Sequence, residues 1–545
     1  MDWAASPLFI YNTMNNQLWY KDAVFYQISV RAFKDSNGDG HGDLRGLTEK
    51  IDYIKNLGVD CIWIMPIYPS PLRDDGYDIA DYYNVSDEYG KLDDLKGLIV
   101  AAHERGIRII MDLVLNHTSD AHPWFQASRS DKNSPYRDYY VWSDTDKKYE
   151  GVRIIFGDIE KSNWAWDEKT QQYYWHRFFS SQPDLNFDNP AVQDEMLNVV
   201  RFWLTLGIDG FRVDAPTYLF ERDGTNCESL PETHAYLKRI RCLIDSEFPE
   251  AIMLAESNQW PKELSQYFSS GDEFHMAFHF PLMPRIFLSI AQNNATPIIE
   301  ILKDTPSIPD NCQWAIFLRN HDELSLEMVT DEERKLMWRE FAPEPHMIHN
   351  LGIRRRLAPI LNNDRSKIEL VNSLLFTLPG SPIIYYGDEI GMGDNLNLPD
   401  RNGVRTPMQW NSSPNAGFTK GEPFTELIQG QYGFQHINTE LQLANPDSLY
   451  RAIRRMIHIR KEHHAFGRGS IQFIESNDPG ILAYLREHGE EKILLVHNLT
   501  DSSRSFTLPD EYQGGYINLL TNEMQNIQSI TLNPYSYHWM KKHAH

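Results

Sequence analysis

Short apolar runs rich in β-branched and aromatic residues recur along the chain between stretches with helical spacing: "AVFYQISVRAF", "VDCIWIMPIY", "IRIIMDLVLNH", "IDGFRVDA", "AIMLAESN", "EFHMAFHF", "QWAIFLRNHD" and "SPIIYYGDEIG". The runs are continuous rather than alternating, which predicts strands buried on both faces, and the helical stretches between them predict right-handed βαβ units. Eight in series predict a closed (β/α)8 TIM barrel; a doubly wound open sheet is the alternative, but no GxGxxG follows the first run. The spacing is uneven. About ninety residues, Thr118 to Leu206, rich in Trp, Tyr, Asp and Ser, separate the third and fourth runs. They predict a subdomain, 118–183, inserted over the barrel mouth. A second insertion, roughly Glu323 to Lys367, follows the seventh run and carries "VTDEERKLMWREFAPEPHM" and the basic "GIRRRLAPI". From about Arg468 the pattern turns to short alternating strands, "ILAYLRE", "KILLVHNLT" and "SFTLP". They predict a C-terminal antiparallel β domain, 468–545, leaving 1–117 and 184–467 to the barrel.

Polar residues break these runs at their C-terminal ends, the end from which barrel enzymes project their reactive groups. The third run ends in Asp112, Asn116 and His117, the fourth carries Arg212 and Asp214, the fifth ends at Glu256, and the seventh at His321 and Asp322. Residues two apart on a strand share a face, so Arg212 lies beside Asp214 and favours its ionised form, as a nucleophile requires. Glu256, in the drier setting "MLAES", is the candidate for a raised pKa and a general-acid role. A buried salt bridge explains any one of these charges as well as catalysis does. Three carboxylates on three strand ends favour chemistry. Two carboxyls about 5 to 5.5 Å apart define a retaining glycosidase, a distance that sequence spacing does not supply.

Composition narrows the partners. A formal charge of −24 repels phosphate backbones and anionic lipid heads, which argues against nucleic acid and membrane surfaces. Cys61, Cys227, Cys242 and Cys312 form no CxxC and no dense framework, as in a reducing, cytoplasmic compartment. The N-terminal "MDWAASPLFIYNTMNNQLWYKDAV" lacks the basic and apolar regions of an export signal, and no segment approaches the roughly 18 apolar residues of a membrane span, so a soluble, unexported chain is expected. The 14 Trp, 27 Tyr and 26 Phe exceed what a core needs and suit a site that stacks on flat ligand faces. Those in "NWAWDEKTQQYYWHRFF" read equally well as mouth lining or as packing. The basic "HERGIRI" and "IRRRL" read as solvated or interdomain faces and receive no chemistry. "DSNGDGHGD" sets Asp35, Asn37, Asp39 and Asp43 at alternating positions, with His41 among them, as a loop of ligands for Ca²⁺ or Mg²⁺ does. It begins like an EF-hand, but its twelfth position is Gly46 and a strand precedes it; a solvated acidic turn is the alternative.

The set "DLVLNH", "GFRVDA", "AESN" and "FLRNHDE", in this order, resembles the signature regions of the α-amylase family of glycoside hydrolases. With "QPDLN" before the fourth strand and "RTPMQW" after the eighth, the resemblance runs from about Leu18 to the C-terminus. It implies a (β/α)8 domain, an inserted domain after strand three and a C-terminal β-sandwich. Position by position it makes Asp214 the nucleophile, Glu256 the acid/base and Asp322 the carboxylate that holds the 2- and 3-hydroxyls of a distorted sugar. Arg212, His117, His321 and Gln182 are its implied neighbours in subsite −1. In "RDDGYDIADY" the resemblance implies that Tyr77 stacks on the sugar while Asp74 is salt-bridged to Arg405, closing the far end of the subsite so that it admits one terminal glucose. It also implies a structural Ca²⁺ between barrel and insert, with Asn116 and Asp184 as side-chain ligands and Tyr218, Leu219 and Glu221 closing the site; simple pairing of Asn116 and Asp184 with backbone is the alternative. No organic cofactor is implied. Within the family, "GFRVDAPTYLFERDGTNCESLPETH", "AESNQWP" and "RNHDELSLEMVTDEER" resemble the branch that interconverts maltose and trehalose. "APTYL" stands after Asp214 where starch cleavers carry Lys-His. That branch implies intramolecular transglucosylation through a covalent glucosyl-enzyme with minor hydrolysis, the two insertions serving as lids against water. It further implies a homo-oligomer, dimer or tetramer, and a separate maltokinase partner. The alternatives are a hydrolytic α-glucosidase or oligo-1,6-glucosidase and, remotely, a catalytically silent binding subunit, which would lack the carboxylates.

Overall fold

The computed structural model describes residues 18–157 and 159–543, so most of the N-terminal stretch examined for an export signal lies outside the described residues. All eight apolar runs are strands: β1 (Phe25–Ile28), β2 (Cys61–Ile64), β3 (Arg108–Val114), β4 (Gly210–Asp214), β5 (Ile252–Ala255), β6 (Met276–Phe278), β7 (Gln313–Phe317) and β8 (Ser381–Tyr385). They close into a parallel barrel, with β8 pairing back on β1 at Phe25↔Ile383. Their side chains are buried on both faces, which is why the runs are continuous. Register then decides which polar residues meet: Asp112 on β3 pairs with Arg212 on β4, Val114 with Asp214, and Arg212 with Leu254 on β5.

The helices that wrap the barrel follow from local signals. Pro190–Leu206 starts at Asn189, whose side chain accepts from Ala191 N–H, with Pro190 in the first turn, and it ends at Gly207 in the left-handed region (φ 109°). Its buried Val192, Met196, Val199, Val200 and Trp203 form one stripe. This helix returns the chain to the barrel after the inserted subdomain. The insert is a three-stranded antiparallel sheet, Trp142–Ser143, Gln172–Trp175 and Trp164–Asp167. Its small core joins Val152, Trp164 and Trp175 to Cys227 from the loop after β4, so the insert is anchored to the barrel rim by apolar contact. Packing therefore explains Trp164 and Trp175, whereas Phe178 lies against His117 with ring centroids 5.1 Å apart.

The second insertion holds the helix Asp331–Phe341, opened by a Thr330–Glu333 capping box, and a hairpin of Ile348–His349 and Gly352–Ile353. The C-terminal domain is antiparallel, a six-stranded and a two-stranded sheet around Leu494, Val496, Phe506, Tyr516 and Leu532. It docks on the barrel helix Arg365–Thr377, where Ser373 Oγ lies 2.9 Å from His497 Nε2 and accepts from Trp539 Nε1 at 2.7 Å. All four cysteines are free thiols. No helix among the described residues is long and apolar enough to cross a membrane.

Gly210 opens β4 at φ 143°, and a Cβ there would stand 2.3 Å from the Ile252 carbonyl oxygen. Gly210→Ala is expected to force β4 and β5 apart and destabilise the barrel by about 1–3 kcal/mol. A lowered thermal midpoint checks this; an unchanged midpoint and activity would show that the strand pair yields freely.

Candidate active site

The centre of the site is the side chain of Arg212, 1% exposed. Its Nη1 donates to Asp214 Oδ1 at 2.7 Å and to Asp112 Oδ1, and its Nη2 pairs with Glu256 Oε1. The strand register puts Asp112 across from the arginine, the i, i+2 spacing puts Asp214 on the same face, and the end of β5 supplies Glu256. The guanidinium also lies 5.2 Å from the Trp63 ring and 5.5 Å from that of Tyr77. Trp63 Nε1 donates to the second oxygen of Asp112 at 2.7 Å, so Asp112 is committed to holding the arginine.

One guanidinium among three carboxyls cannot keep all of them equally ionised in a buried site. Burial pushes Glu256 up to about 8; Arg212 opposes that rise, and the charges of Asp214 and Asp322 add to it. Burial also raises Asp214, to about 6, against the pull of Arg212 and of a hydrogen bond from Glu256. At neutral pH the site therefore offers an ionised carboxylate beside a protonated carboxylic acid, a base or nucleophile paired with a proton donor.

Asp322 has the opposite environment. Its Oδ1 accepts from Arg401 Nη1 at 2.7 Å and Arg405 Nη2 at 3.0 Å, and its Oδ2 lies 3.2 Å from His321 Nε2. Burial would raise it, but His321, Arg401 and Arg405 outweigh burial and hold the carboxyl well below the ordinary range. His321 is fixed in turn: Gln27 Nε2 lies 2.7 Å from its Nδ1, the Tyr77 hydroxyl lies 2.8 Å from its Nε2, and the Tyr77 ring stacks on it at 5.5 Å and 13°. His117, at the end of β3, is pushed down by burial to about 4, so its ring is neutral, and its buried Nε2 has no hydrogen-bond partner in the protein.

Two expectations are corrected here. Asp74 pairs not with Arg405 but with Arg401, whose Nη2 donates to it at 3.0 Å; Gln182 Nε2 donates to its other oxygen, also at 3.0 Å. Arg405 instead reaches Asp75, 3.2 Å away. The cause is the turn, in which Asp75 (φ 50°) and Gly76 (φ 102°) are both left-handed, so the successive carboxylates diverge toward two different arginines. Arg401 was missed; its only signal was a second arginine four residues before that of "RTPMQW". The "IRRRL" cluster is neither a solvated nor an interdomain face. Arg354 donates to the carbonyls of Leu396, Leu398 and Asp400, Arg355 reaches Asp394 at 3.3 Å, and the fully buried Arg356 donates to Tyr386 O at 2.7 Å. Nearby carbonyls in need of donors, invisible in a linear pattern, take up these charges.

Comparison with known proteins shows the family. The family model for the α-amylase catalytic domain matches residues 27–469, and the model for the maltogenic amylase C-terminal domain matches 471–539. The chain belongs to the α-amylase family. It is 56% identical to the trehalose synthase/amylase TreS of Mycolicibacterium smegmatis over 95% of this chain and 90% of that one. It is 52% identical to the trehalose synthase of Pimelobacter sp. over 96% of each. Among solved structures it resembles the trehalulose synthase MutB from Pseudomonas mesoacidophila, with a TM-score of 0.77 and 30% identity over 96% of this chain and 99% of that one. Sugar isomerisation within the family is thus the activity class these relatives support.

The two candidate cation sites fare differently. Asn116 Oδ1, Asp184 Oδ2 and Glu221 Oε1 are all buried without a hydrogen-bond partner. Burial pushes Asp184 up to about 8 and Glu221 well above its ordinary value, and for Glu221 the charge of Asp184 adds to the rise. Orphaned oxygens on mutually repelling carboxyls fit a hard cation, and Tyr218 and Leu219 lie in the turn just before Glu221. In the loop Asp35–Asp43 the oxygens are already used. Asp35 Oδ1 accepts from Asn37 and Gly38 N–H, its Oδ2 from Gly40 N–H and Thr419 Oγ1, and Asp43 caps the helix Leu44–Glu49 through Gly46 N–H. Asn37 and Asp39 hydrogen-bond each other at 2.9 Å, and the His41 ring stacks on Phe424. This loop is cross-linked by its own hydrogen bonds, so its oxygens are not orphaned as those of the first set are, and each carboxylate keeps further lone pairs. Among the described residues no cluster of three or more His, Cys, Asp or Glu side chains stands in metal-binding geometry.

The two central carboxyls set the pH dependence. Activity on an α-glucoside is expected to need Asp214 ionised and Glu256 protonated, so kcat/KM should rise through about pH 6 and fall through about pH 8. In Glu256→Gln the alkaline limb should vanish from the residual activity, and its persistence would assign that limb to another group.

Proposed function

We propose that the protein interconverts maltose and trehalose by moving one glucosyl unit within the disaccharide. The observation that carries the reading is the pairing of an ionised Asp214 with a protonated Glu256 around Arg212, in a pocket whose far end is closed by Asp74, Arg401 and Asp322. The relatives named trehalose synthase, at 52% and 56% identity over nearly the whole chain, support the choice of disaccharide.

In this mechanism Asp214 attacks the anomeric carbon of the non-reducing glucose while Glu256 gives its proton to the departing glycosidic oxygen. The nucleophile–carbon bond forms as the glycosidic bond breaks, leaving a glucosyl-enzyme and free glucose. Glu256, now ionised, takes the proton from the anomeric hydroxyl of that glucose as it attacks, and the α,α-1,1 bond forms with release of Asp214. Two inversions give net retention. Asp322, held ionised by its arginines, is the group suited to grip the 2- and 3-hydroxyls, with the neutral His117 and with His321 beside it.

The freed glucose must turn over inside a closed site, because water is the competing acceptor and gives hydrolysis. Arg153 of the insert supports such closure: its Nε donates to Glu228 after β4 at 2.7 Å, its Nη2 to the Tyr218 hydroxyl at 3.0 Å, and its Nη1 lies 3.7 Å from Glu327 after β7. Both insertions thus meet over the mouth. A Ca²⁺ held by Asn116, Asp184 and Glu221 would supply positive charge to two buried carboxyls and brace the insert against the barrel.

Incubation with maltose should give trehalose in excess over glucose. Labelled free glucose should enter trehalose far less readily than the enzyme-held glucose, and equal incorporation would sink the caged intermediate. Asp214→Ala and Glu256→Gln should each lose activity by at least roughly 10²- to 10⁴-fold; full turnover in either would overturn the roles. For the cation, chelation should lower the thermal midpoint and Ca²⁺ restore it, the ion adding about 2.7 kcal/mol of stability at a hundredfold excess over Kd. Glu221→Gln should blunt that response, and a midpoint indifferent to both chelator and Ca²⁺ would remove the ion from the scheme.

A further inference from the structure

The hairpin in the second insertion and the arginine that follows it carry an inference beyond the reaction itself. Arg354 closes on the loop that leads into Arg401. Its Nη1 donates to the carbonyls of Leu398 and Asp400, both at 2.7 Å, its Nη2 to Leu396 at 3.0 Å and its Nε to His346 at 2.6 Å. Four main-chain acceptors from two segments are taken by one planar fork, which a lysine cannot reproduce. The loop needs this restraint. Asp400 sits at φ 50°, a costly left-handed conformation for a residue with a side chain, and its carboxylate is held from the other side by His349 Nε2 at 2.9 Å.

The next residue is Arg401, every face of which is committed: Nη1 to Asp322, Nη2 to Asp74, and Nε to Asp400 at 3.2 Å. The hairpin is also fixed to the other end of this wall. Leu324 and Ile353 exchange two main-chain hydrogen bonds, at 2.8 and 3.0 Å, just beyond Asp322, and Asn350 Nδ2 donates to Glu323 at 3.2 Å. Gly352 permits the approach, since a Cβ there would lie 2.5 Å from Glu323 Cγ. Asp322 and Arg401, which meet in the pocket, are therefore braced from behind by the same hairpin.

We propose that Arg354 is a positioning residue that sets the depth of the sugar pocket by fixing Arg401 against Asp74, so that the site takes a chain end and rejects internal glucose units. This rests on the reading that one terminal glucose binds at Asp322. Loosening Arg354 lets Arg401 swing from Asp74 and opens the closed end toward longer glucans, while Asp214, Glu256 and Arg212 stay in place.

The test compares Arg354→Met, Arg354→Lys, Arg401→Met and the double variant Arg354→Met/Arg401→Met on maltose, on an aryl α-glucoside and on a linear maltoheptaose. Arg354→Met should raise KM for both small substrates on the order of tenfold with kcat within about threefold, and should release fragments from inside maltoheptaose that the parent does not. Arg354→Lys should resemble it, because charge without the fork does not hold the loop. The double variant should be no worse than Arg401→Met alone, since Arg354 acts through Arg401. Losses in the double variant that multiply, an unchanged KM in Arg354→Met, or full rescue by lysine would each overturn the proposal. If Arg354→Met does not fold, His349→Ala loosens the same turn from the other side and should shift KM in the same direction; an unchanged KM there refutes the strut. The aryl glucoside reads the pocket whatever maltose becomes, so a parent enzyme that cleaves it but leaves maltose intact would defeat the maltose–trehalose reading while leaving the Arg354 comparison readable.

Discussion

One buried cation organises the site. Arg212 pairs with Asp112, Asp214 and Glu256 from three successive strands of the barrel, and carboxyls held away from water need such a partner or a proton. Its removal would leave three buried carboxyls uncompensated, and breaking even one buried pair costs about 3–5 kcal/mol. The same excess of negative over positive charge makes the site useful. With one guanidinium for three carboxyls, the proton goes to the carboxyl raised highest, and that is Glu256, pushed up to about 8 against about 6 for Asp112 and Asp214. Asp112 is the member whose remaining oxygen is tied to Trp63, so it is committed to holding the arginine, and Asp214 is the less restrained carboxylate beside it.

A second cationic layer shapes the pocket around the first. Arg401 and Arg405 share one oxygen of Asp322 and spread to Asp74 and Asp75, so that three carboxylates are tied together by two guanidiniums. Behind them the arginines of the "IRRRL" stretch satisfy the carbonyls and carboxylates of the loops that carry this wall. The wall around Asp322 is thus held by main-chain hydrogen bonding at a distance from Asp214 and Glu256, and Arg153 separately ties the insert to the loop after β4.

The barrel was legible from the chain because buried parallel strands must be apolar throughout, and a polar residue inside such a run stands out. Arg212, Asp214, Glu256 and Asp322 were found in that way. Gln27, which lies within "FYQI" and orients His321, carried the same signal and went unused. The pairing of Asp74 was misread because two arginines four residues apart are equivalent in a linear pattern; only the left-handed turn at Asp75 and Gly76 distinguishes them. Consecutive arginines such as those of "IRRRL" ordinarily mark a solvated or interdomain face, and the carbonyls that hold Arg354 come from loops about forty residues away.

By itself, then, the sequence determined the strand count, the strand ends on which charge is placed and the chemical types available there, since periodicity and burial are local properties of the chain. The tertiary structure alone decided which charges share a partner, which carboxyl keeps the proton and which oxygens are left without donors at Asn116, Asp184 and Glu221. Those outcomes depend on distance and desolvation between segments up to hundreds of residues apart, and electrostatic energy in a buried site is set by separation in space rather than by position along the chain.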